Sequence, residues 1–121
     1  MFDSLDIEVR DTVFDPASSS KVIYVRESGW KKPHTKVWLF LDGVDLPYVK
    51  SVTYTLHKTF PNPVRNVKRT ISNPNCAHVI WTYGTFEVKV TIEDKSGRFH
   101  KRTHRLEYPT QFKDAERVDR R

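Results

Sequence analysis

The sequence predicts an all-β domain, an antiparallel sandwich of two sheets with about seven or eight strands and a short C-terminal tail. Apolar and polar residues alternate with period two in several short segments, as along Val52, Tyr54 and Leu56, which indicates strands with one buried face. Turn-forming residues separate these segments, and helical spacing is almost absent before the C-terminus. One sheet could not cover its own apolar face, so a second sheet is expected, with a barrel as the alternative architecture.

Five segments define the expected strands and their buried faces. Each keeps its apolar side chains two residues apart, so those side chains lie on one face of a strand. Turn-forming pairs such as Asp42-Gly43 and Asn62-Pro63 punctuate the chain between segments. In chain order the alternating positions are Leu5, Ile7 and Val9; Val22, Tyr24 and Arg26; Val37, Leu39 and Leu41; Val52, Tyr54 and Leu56; and Phe86, Val88, Val90 and Ile92.

The clearest local unit is a hairpin near the end of the chain. Residues 85–93 form its first strand, residues 94–97 its turn, and residues 98–107 a second strand that is much richer in charge. Exposed Lys and Arg side chains discourage pairing with another chain, so we expect the second strand at the edge of a sheet.

The length of 121 residues favours one domain. We expect a β-sandwich domain over residues 1–110 and a C-terminal tail or linker over residues 111–121. In that last segment only Phe112 and Val118 are large and apolar, which is typical of a short helix or a frayed tail, or of a linker to another domain.

The composition favours a soluble domain with a basic surface. Twenty-one Lys and Arg against fifteen Asp and Glu give a net charge of +6, a balance that favours anionic partners such as nucleic acid. The basic segments 65–69 and 98–105 are the candidates for phosphate contacts. The second segment carries one aromatic residue, Phe99, so it lacks the interleaved rings of a stacking platform. A solvated basic edge and loop explain the same charge.

The expected location is the cytoplasm. No stretch approaches the roughly 20 apolar residues of a membrane span, and the first residues lack the features of a secretory signal. Cys76 is the only cysteine, which excludes an intrachain disulfide and fits a reducing compartment. We therefore expect no membrane insertion of this chain.

Motifs for catalysis, metals and cofactors are missing from the sequence, so we expect a non-catalytic protein. His100 and His104 would lie about 13 Å apart on one strand, too far for one metal ion. Cys76 follows an Asn-Pro-Asn turn without a nucleophile elbow. The four glycines stand singly, so no phosphate-binding loop is present and no cofactor is expected.

Two aromatic loops are the most informative feature. Residues 57–61 close the strand that ends at Leu56, and residues 81–86 open the strand of Val88 and Val90. If the two loops meet, they form an aromatic cleft, which suits a neutral amide or acyl group because such a group presents π-faces, one donor and one acceptor.

These loops resemble a known family. The segment Leu56-His57-Lys58-Thr59-Phe60-Pro61-Asn62-Pro63-Val64-Arg65, a basic loop, and then Tyr83-Gly84-Thr85-Phe86 before an alternating strand are similar to the YEATS domain family, in particular its prokaryotic branch. The upstream residues 34–43 also look like the strand that precedes this motif. The resemblance covers roughly residues 32–108 and implies an immunoglobulin-like sandwich.

The resemblance also implies a function and a site. The best studied eukaryotic members of the family read acylated lysine on histones through an aromatic cage, so the resemblance implies that this chain binds an acylated-lysine protein or peptide as an adaptor or sensor. Phe60 and Tyr83 would sandwich the amide, and the Thr59 hydroxyl and the Tyr83 backbone N–H would hydrogen-bond it. The complete set of implied ligand-binding residues is His57, Thr59, Phe60, Tyr83, Trp30 as a further wall, and Phe86 beneath.

The same residues have ordinary structural explanations. Phe86 alternates with Val88 and fits a core position, Tyr83 could fill the end of a hairpin, and His57 could hydrogen-bond a loop carbonyl. The alternative functions are a basic nucleic-acid-binding domain and a protein interaction domain that pairs through an edge strand without a small-ligand pocket.

Overall fold

The computed structural model describes residues 5–27 and 32–120, and this part of the chain forms nine strands in two packed sheets. The prediction of a two-sheet, mainly antiparallel sandwich is confirmed, with slightly more strands than expected. The strands are β1 (Glu8–Thr12), β2 (Val22–Arg26), β3 (His34–Asp42), β4 (Val49–Thr55), β5 (Val64–Lys68), β6 (His78–Thr82), β7 (Glu87–Asp94), β8 (Phe99–Arg105) and β9 (Arg117–Arg120).

The first sheet is built around the long strand β3. Strand β6 pairs along one side of β3, from Leu39 opposite His78 to Thr35 opposite Thr82. Strands β1 and β2 share the other side, because β1 pairs with the C-terminal half of β3 and β2 with its first residues. At that second junction Arg26 lies opposite His34. This register brings the ends of β2, β3 and β6 to one end of the sandwich.

The second sheet has the order β5-β4-β7-β8, with antiparallel neighbours throughout. The predicted hairpin is therefore confirmed as β7 and β8, and the charged strand β8 lies at the sheet edge. The reading of residues 65–69 as a basic loop is wrong, since residues 64–68 form β5. Val67 packs against the core while Lys68 is exposed, so this edge strand alternates in spite of its charge.

Both sheets turn their apolar faces inward onto one core. Leu39, Val52, Val88 and Ile92 are fully buried there. Tyr54 is fully buried as well, and burial raises the pKa of its phenol well above the ordinary value. The neutral hydroxyl donates a 2.8 Å hydrogen bond to the carbonyl oxygen of Cys76, so the one polar atom of this ring has a partner inside the core.

Side chains fasten the two sheets along the side where β1 faces β8. The Asp11 carboxylate on β1 lies 2.6 Å from Nε2 of His104 on β8. It also accepts the backbone N–H groups of Glu107 and Tyr108 at 3.0 and 2.8 Å. Further along, Arg102 on β8 donates to the carbonyl oxygen of Leu5 at 2.7 Å. The two strand edges are thus joined by side chains and not by a backbone ladder.

The C-terminal segment corrects one expectation. Residues 108–114 form a 3-10 helix, and residues 117–120 form β9, which pairs in parallel with β2, so these last residues are not a frayed tail. The Gln111 side chain accepts the backbone N–H of Val13 at 2.8 Å, which anchors the segment. Whether a domain boundary falls at residue 110 stays a prediction. Among the described residues, no helix is long and apolar enough to cross a membrane.

Candidate functional site: an aromatic cleft at one end of the sandwich

Two loops meet at one end of the sandwich and line an open cleft of about 590 Å³. The first loop, residues 56–63, joins β4 to β5, and the second loop, residues 83–86, joins β6 to β7. Both loops contribute aromatic side chains to the lining, namely Phe60 from the first and Tyr83 and Phe86 from the second. The residues lining it are Arg26, His34, His57, Thr59, Phe60, Pro61, Arg65, Val79, Ile80, Trp81, Thr82, Tyr83, Gly84, Thr85 and Phe86.

The first loop is a tight, internally bonded turn. The backbone N–H of Leu56 donates to the carbonyl of Pro63 at 2.8 Å, and that of Phe60 donates to the carbonyl of His57 at 3.0 Å. The Thr59 hydroxyl lies 2.9 Å from Nδ1 of His57, and the Thr59 backbone N–H lies 3.3 Å from the same atom. These bonds place the Phe60 ring toward the cleft.

Arg65 holds the outer part of this loop from β5. Its guanidinium donates to the carbonyl oxygens of Pro61, at 2.7 Å, and of Asn62. The same group lies 3.1 Å from Nε2 of His78. Burial, followed by the charge of Arg65, lowers the pKa of His78 below its ordinary value, so near neutral pH the imidazole is uncharged and its Nε2 accepts a hydrogen bond from the Arg65 guanidinium.

The second loop pushes Tyr83 outward. The Thr82 hydroxyl donates to the carbonyl oxygen of Gly84 at 2.9 Å, and the Tyr108 hydroxyl donates to the same oxygen at 3.2 Å. Burial, and then the nearby charge of Asp11, raises the pKa of Tyr108, so its hydroxyl stays a donor. With Gly84 fixed from two sides, the Tyr83 side chain is left 63% exposed.

Aromatic contacts form the floor and one wall of the cleft. The rings of Phe60 and Phe86 have centroids 5.2 Å apart at a tilt of 50°, and His57 meets Phe86 edge-on at 6.3 Å. At the start of β3 in the first sheet, His34 meets Tyr83 edge-on at 5.1 Å. Phe60 and Phe86 are each half-buried and pack against the core. These two rings therefore serve the fold and the cleft together.

The charge around the cleft is basic. Arg26 lies over the Trp81 ring, 4.1 Å from its centroid, and Lys32 lies over Tyr83 at 5.2 Å. Cation–π contacts of this kind keep the cations at the cleft walls. None of the described residues that line the cleft is Asp or Glu, whereas Arg26 and Arg65 both line it.

Five of the six residues implied by the resemblance lie in this cleft: His57, Thr59, Phe60, Tyr83 and Phe86. The sixth, Trp30, lies outside the described residues. Sequence reasoning missed the contribution of the first sheet, namely Arg26, His34 and Trp81. Trp81 lies in the predicted aromatic segment, but the other two come near the cleft only through the register of β2 and β3 with β6.

A second, larger groove of about 830 Å³ lies between the edges of β1 and β8. Its most polar members are already engaged, since His104 pairs with Asp11 and Arg102 with the Leu5 carbonyl. In residues 5–27 and 32–120, no three His, Cys, Asp or Glu side chains come together as metal ligands. The aromatic cleft is therefore the better candidate for a ligand site.

Comparison with solved structures shows the same fold in YEATS domains. The Yaf9 YEATS domain recognizing an H3K122suc peptide aligns with a TM-score of 0.56 at 17% identity, covering 88% of this chain and 77% of that chain. The Yaf9 YEATS domain bound to H3K27ac aligns at 0.50 and 20% identity, over 84% and 73%. The yeast AF-9 homolog Yaf9 aligns at 0.54 and 20% identity, over 84% and 69%.

At these identities the structures establish the fold alone, and no curated protein matches this chain. The family follows from the sequence model of the prokaryotic YEATS domain, which matches residues 34–107 and so spans more than half of the chain. That region runs from the start of β3 to the residue after Leu106 and includes both loops of the cleft. The chain therefore belongs to the prokaryotic YEATS domain family.

Proposed function

We propose that this chain is a non-catalytic recognition module that binds an acylated-lysine-like amide in the aromatic cleft. The observation that carries the proposal is that Phe60 and Tyr83, from loops 23 positions apart in sequence, line one open cleft. An amide group is planar and polarisable, and it stacks on aromatic rings with its N–H and C=O left free at the edges. A cleft lined by rings from two loops suits such a group.

Hydrogen bonding in the first loop supports the assignment of the amide N–H. Nδ1 of His57 accepts the backbone N–H of Thr59, which requires that Nδ1 carries no proton. The Thr59 hydroxyl, 2.9 Å away, must then donate its own hydrogen to Nδ1. The hydroxyl oxygen is thereby oriented as an acceptor, and an acylated lysine would supply the matching N–H.

The basic lining supports discrimination between acylated and unmodified lysine. An unmodified side chain would bring an ammonium group near Arg26 and Arg65, which both line the cleft. Like charges in one cleft repel each other, most strongly where water is partly excluded. Acylation removes the positive charge and adds the planar amide. One modification therefore removes the charge repulsion and supplies a group that stacks on the aromatic rings.

The expected affinity is modest. An aromatic contact contributes about 0.5–1.5 kcal/mol beyond its buried area, and a neutral hydrogen bond contributes about 0.5–1.5 kcal/mol. After the cost of ordering a flexible lysine side chain is subtracted, a cleft of this kind reaches roughly micromolar dissociation constants. Such affinity fits an adaptor or sensor that responds to the modification state of a protein.

The comparisons support the same ligand class, because two similar structures are named for H3K122suc and H3K27ac ligands.

A catalytic role has no support from the residues of the cleft. Cys76, the only thiol, is fully buried in the core. Burial raises its pKa to about 11, although the charge of Arg69 acts to lower it. A thiol in that state is a poor nucleophile near neutral pH.

The test is a calorimetric titration of the domain with one peptide in three forms, carrying acetyl-lysine, crotonyl-lysine or unmodified lysine. We expect roughly micromolar binding of at least one acylated form and at least about tenfold weaker binding of the unmodified form. Equal affinity for all three peptides, or no binding of any, would refute the proposal.

A further inference from the structure

The outward face of the second sheet is a regular array of cations and hydroxyl groups. Strand pairing places Lys89 opposite Thr103 and Thr91 opposite Lys101 between β7 and β8. On the other side, Thr55 lies opposite Lys89 and Thr53 opposite Thr91. We call this surface the basic face. Its members on the four strands are Val64, Asn66, Lys68, Ser51, Thr53, Thr55, Glu87, Lys89, Thr91, Glu93, Phe99, Lys101, Thr103 and Arg105, together with Lys50, whose ammonium group lies 3.5 Å from the Glu93 carboxylate.

Alternation along β8 separates two kinds of basic side chain. The inward residues are engaged within the fold: His100 lies 2.9 Å from Asp94, His104 lies 2.6 Å from Asp11, and Arg102 donates to a backbone carbonyl. The outward residues Lys101 and Arg105 are exposed. The charge of the predicted basic segment 98–105 is thus divided between a structural half and a surface half.

The basic face has a clear excess of positive charge. It carries five cations, Lys50, Lys68, Lys89, Lys101 and Arg105, against two carboxylates. Glu93 is paired with Lys50 at 3.5 Å, so Glu87 is the one carboxylate that faces the remaining four cations. The first sheet differs, because Arg10 pairs with both Glu8 and Asp42 there, and Arg120 pairs with Glu27.

The spacing of the cations suits a polymer of regularly placed anions. Lys101 and Arg105 are about 13 Å apart along β8, and Lys89 on the adjacent strand lies about 8 Å from each of them, from the rise per residue and the strand separation. Thr91 and Thr103 fill the gaps between these cations. Lys, Arg and Thr are among the side chains that proteins use to contact phosphate oxygens.

An acidic polypeptide fits this surface less well. Protein interfaces concentrate their binding energy in buried aromatic and apolar anchors. On the basic face, the exposed apolar side chains are Val64 and Phe99, which lie on the two opposite edge strands. The two middle strands, β4 and β7, carry lysine, threonine and glutamate side chains on this face and no large apolar anchor. Lysines and threonines can hold a phosphate backbone without such an anchor.

We propose that the basic face binds the sugar-phosphate backbone of a nucleic acid without reading its sequence. Because the face lies on the outer side of β4, β5, β7 and β8, whereas the cleft lies at the end of the sandwich, this activity is separate from the proposed amide binding. A ligand could occupy one site while the other is filled.

The test measures the anisotropy of a fluorescently labelled 20-base-pair duplex of random sequence at several salt concentrations between about 50 and 200 mM. The face variant combines Lys89→Gln, Lys101→Gln and Arg105→Gln. The control variant removes three cations elsewhere, by Lys21→Gln, Lys113→Gln and Arg117→Gln, and so has the same net charge. Thermal unfolding of both variants establishes that each is folded.

We expect the face variant to bind at least about tenfold more weakly at low salt, with a slope of log K against log salt that is smaller by about 2 to 3. The control variant should lose less than about threefold. Equal losses in both variants would show that only net charge matters and would overturn the proposal. So would undetectable binding of the duplex at low salt, or face-dependent binding of polyglutamate as tight as that of the duplex.

Discussion

Both polar groups of Thr59 lie within hydrogen-bonding distance of Nδ1 of His57, the hydroxyl at 2.9 Å and the backbone N–H at 3.3 Å. This pair decides which way the Thr59 hydroxyl points. With Nδ1 as acceptor the hydroxyl oxygen is free to accept a hydrogen bond in turn, whereas without that acceptor the hydroxyl can rotate.

The first prediction removes the acceptor at His57. His57→Leu should weaken binding of an acetyl-lysine or crotonyl-lysine peptide by about threefold to tenfold, the worth of one hydrogen bond. His57→Asn keeps a side-chain acceptor near the position of Nδ1 and should retain most of the affinity. Calorimetry compares the two variants, and equal losses would mean that the Nδ1 acceptor does not contribute.

The second prediction concerns Tyr83, whose side chain is 63% exposed. Tyr83→Ala should abolish measurable peptide binding while lowering the free energy of unfolding by less than about 0.5 kcal/mol, as for other surface positions. Tyr48→Ala removes a tyrosine that is also exposed, at 49%, but does not line the cleft, and it should leave binding intact. A large stability loss in Tyr83→Ala would contradict the prediction, because it would mean that this ring contributes to the core.

The third prediction is a pH dependence that originates at His78. In the folded protein its pKa lies below the ordinary value of 6.5, because of burial and then the charge of Arg65. As pH falls below 6.5, the unfolded chain takes up a proton at this histidine before the folded one does, so the free energy of unfolding decreases until the folded pKa is passed.

Denaturant titrations between pH 7.5 and 5 measure this decrease. His78→Gln can still accept from Arg65 but does not titrate, so it should lose part of the decrease. An identical pH slope in the parent protein and in His78→Gln would contradict the assignment.

The fourth prediction contrasts two glycines. Gly43 has a φ of +142°, and a Cβ there would lie 2.3 Å from the carbonyl oxygen of Asp6. Gly43→Ala should therefore destabilise the fold by at least about 2 kcal/mol, from backbone strain and the clash with main chain. A Cβ at Gly84 meets nothing within 4 Å, so Gly84→Ala should change the free energy of unfolding by less than about 0.5 kcal/mol. Chemical denaturation of both variants shows whether the requirement for glycine is specific to Gly43. Equal losses of stability in the two variants would contradict that.

Period-two alternation was sufficient to predict the sandwich, because a strand with one buried face leaves a local signal. Strands without that signal were missed. β6, from His78 to Thr82, has no regular alternation of apolar and polar residues, and β9 is a polar strand of four residues. β9 exists through its parallel pairing with β2, which depends on residues about 95 positions earlier. At the N-terminus, Leu5 and Ile7 are buried as expected but lie just before β1.

The same distinction between local and long-range information applies to the cleft. Its two loops are continuous segments with recognisable residues, so His57, Thr59, Phe60, Tyr83 and Phe86 could be predicted together. Arg26 and His34 belong to the cleft because β2 and β3 pair with each other at that point and β3 pairs with β6. Their role depends on strand order, which alternation does not encode.

The hydrogen bonds that Asp11 makes to His104, Glu107 and Tyr108 have a consequence for folding during synthesis. Its side-chain and backbone partners lie 93 to 97 residues further along the chain, so they leave the ribosome long after Asp11 does. Contacts of such separation are the slow part of folding. A nascent chain that ends before Arg102 can pair β1 with β3 and β4 with β7, but it lacks the side chains and backbone groups of residues 102–108 that join the two layers on that side.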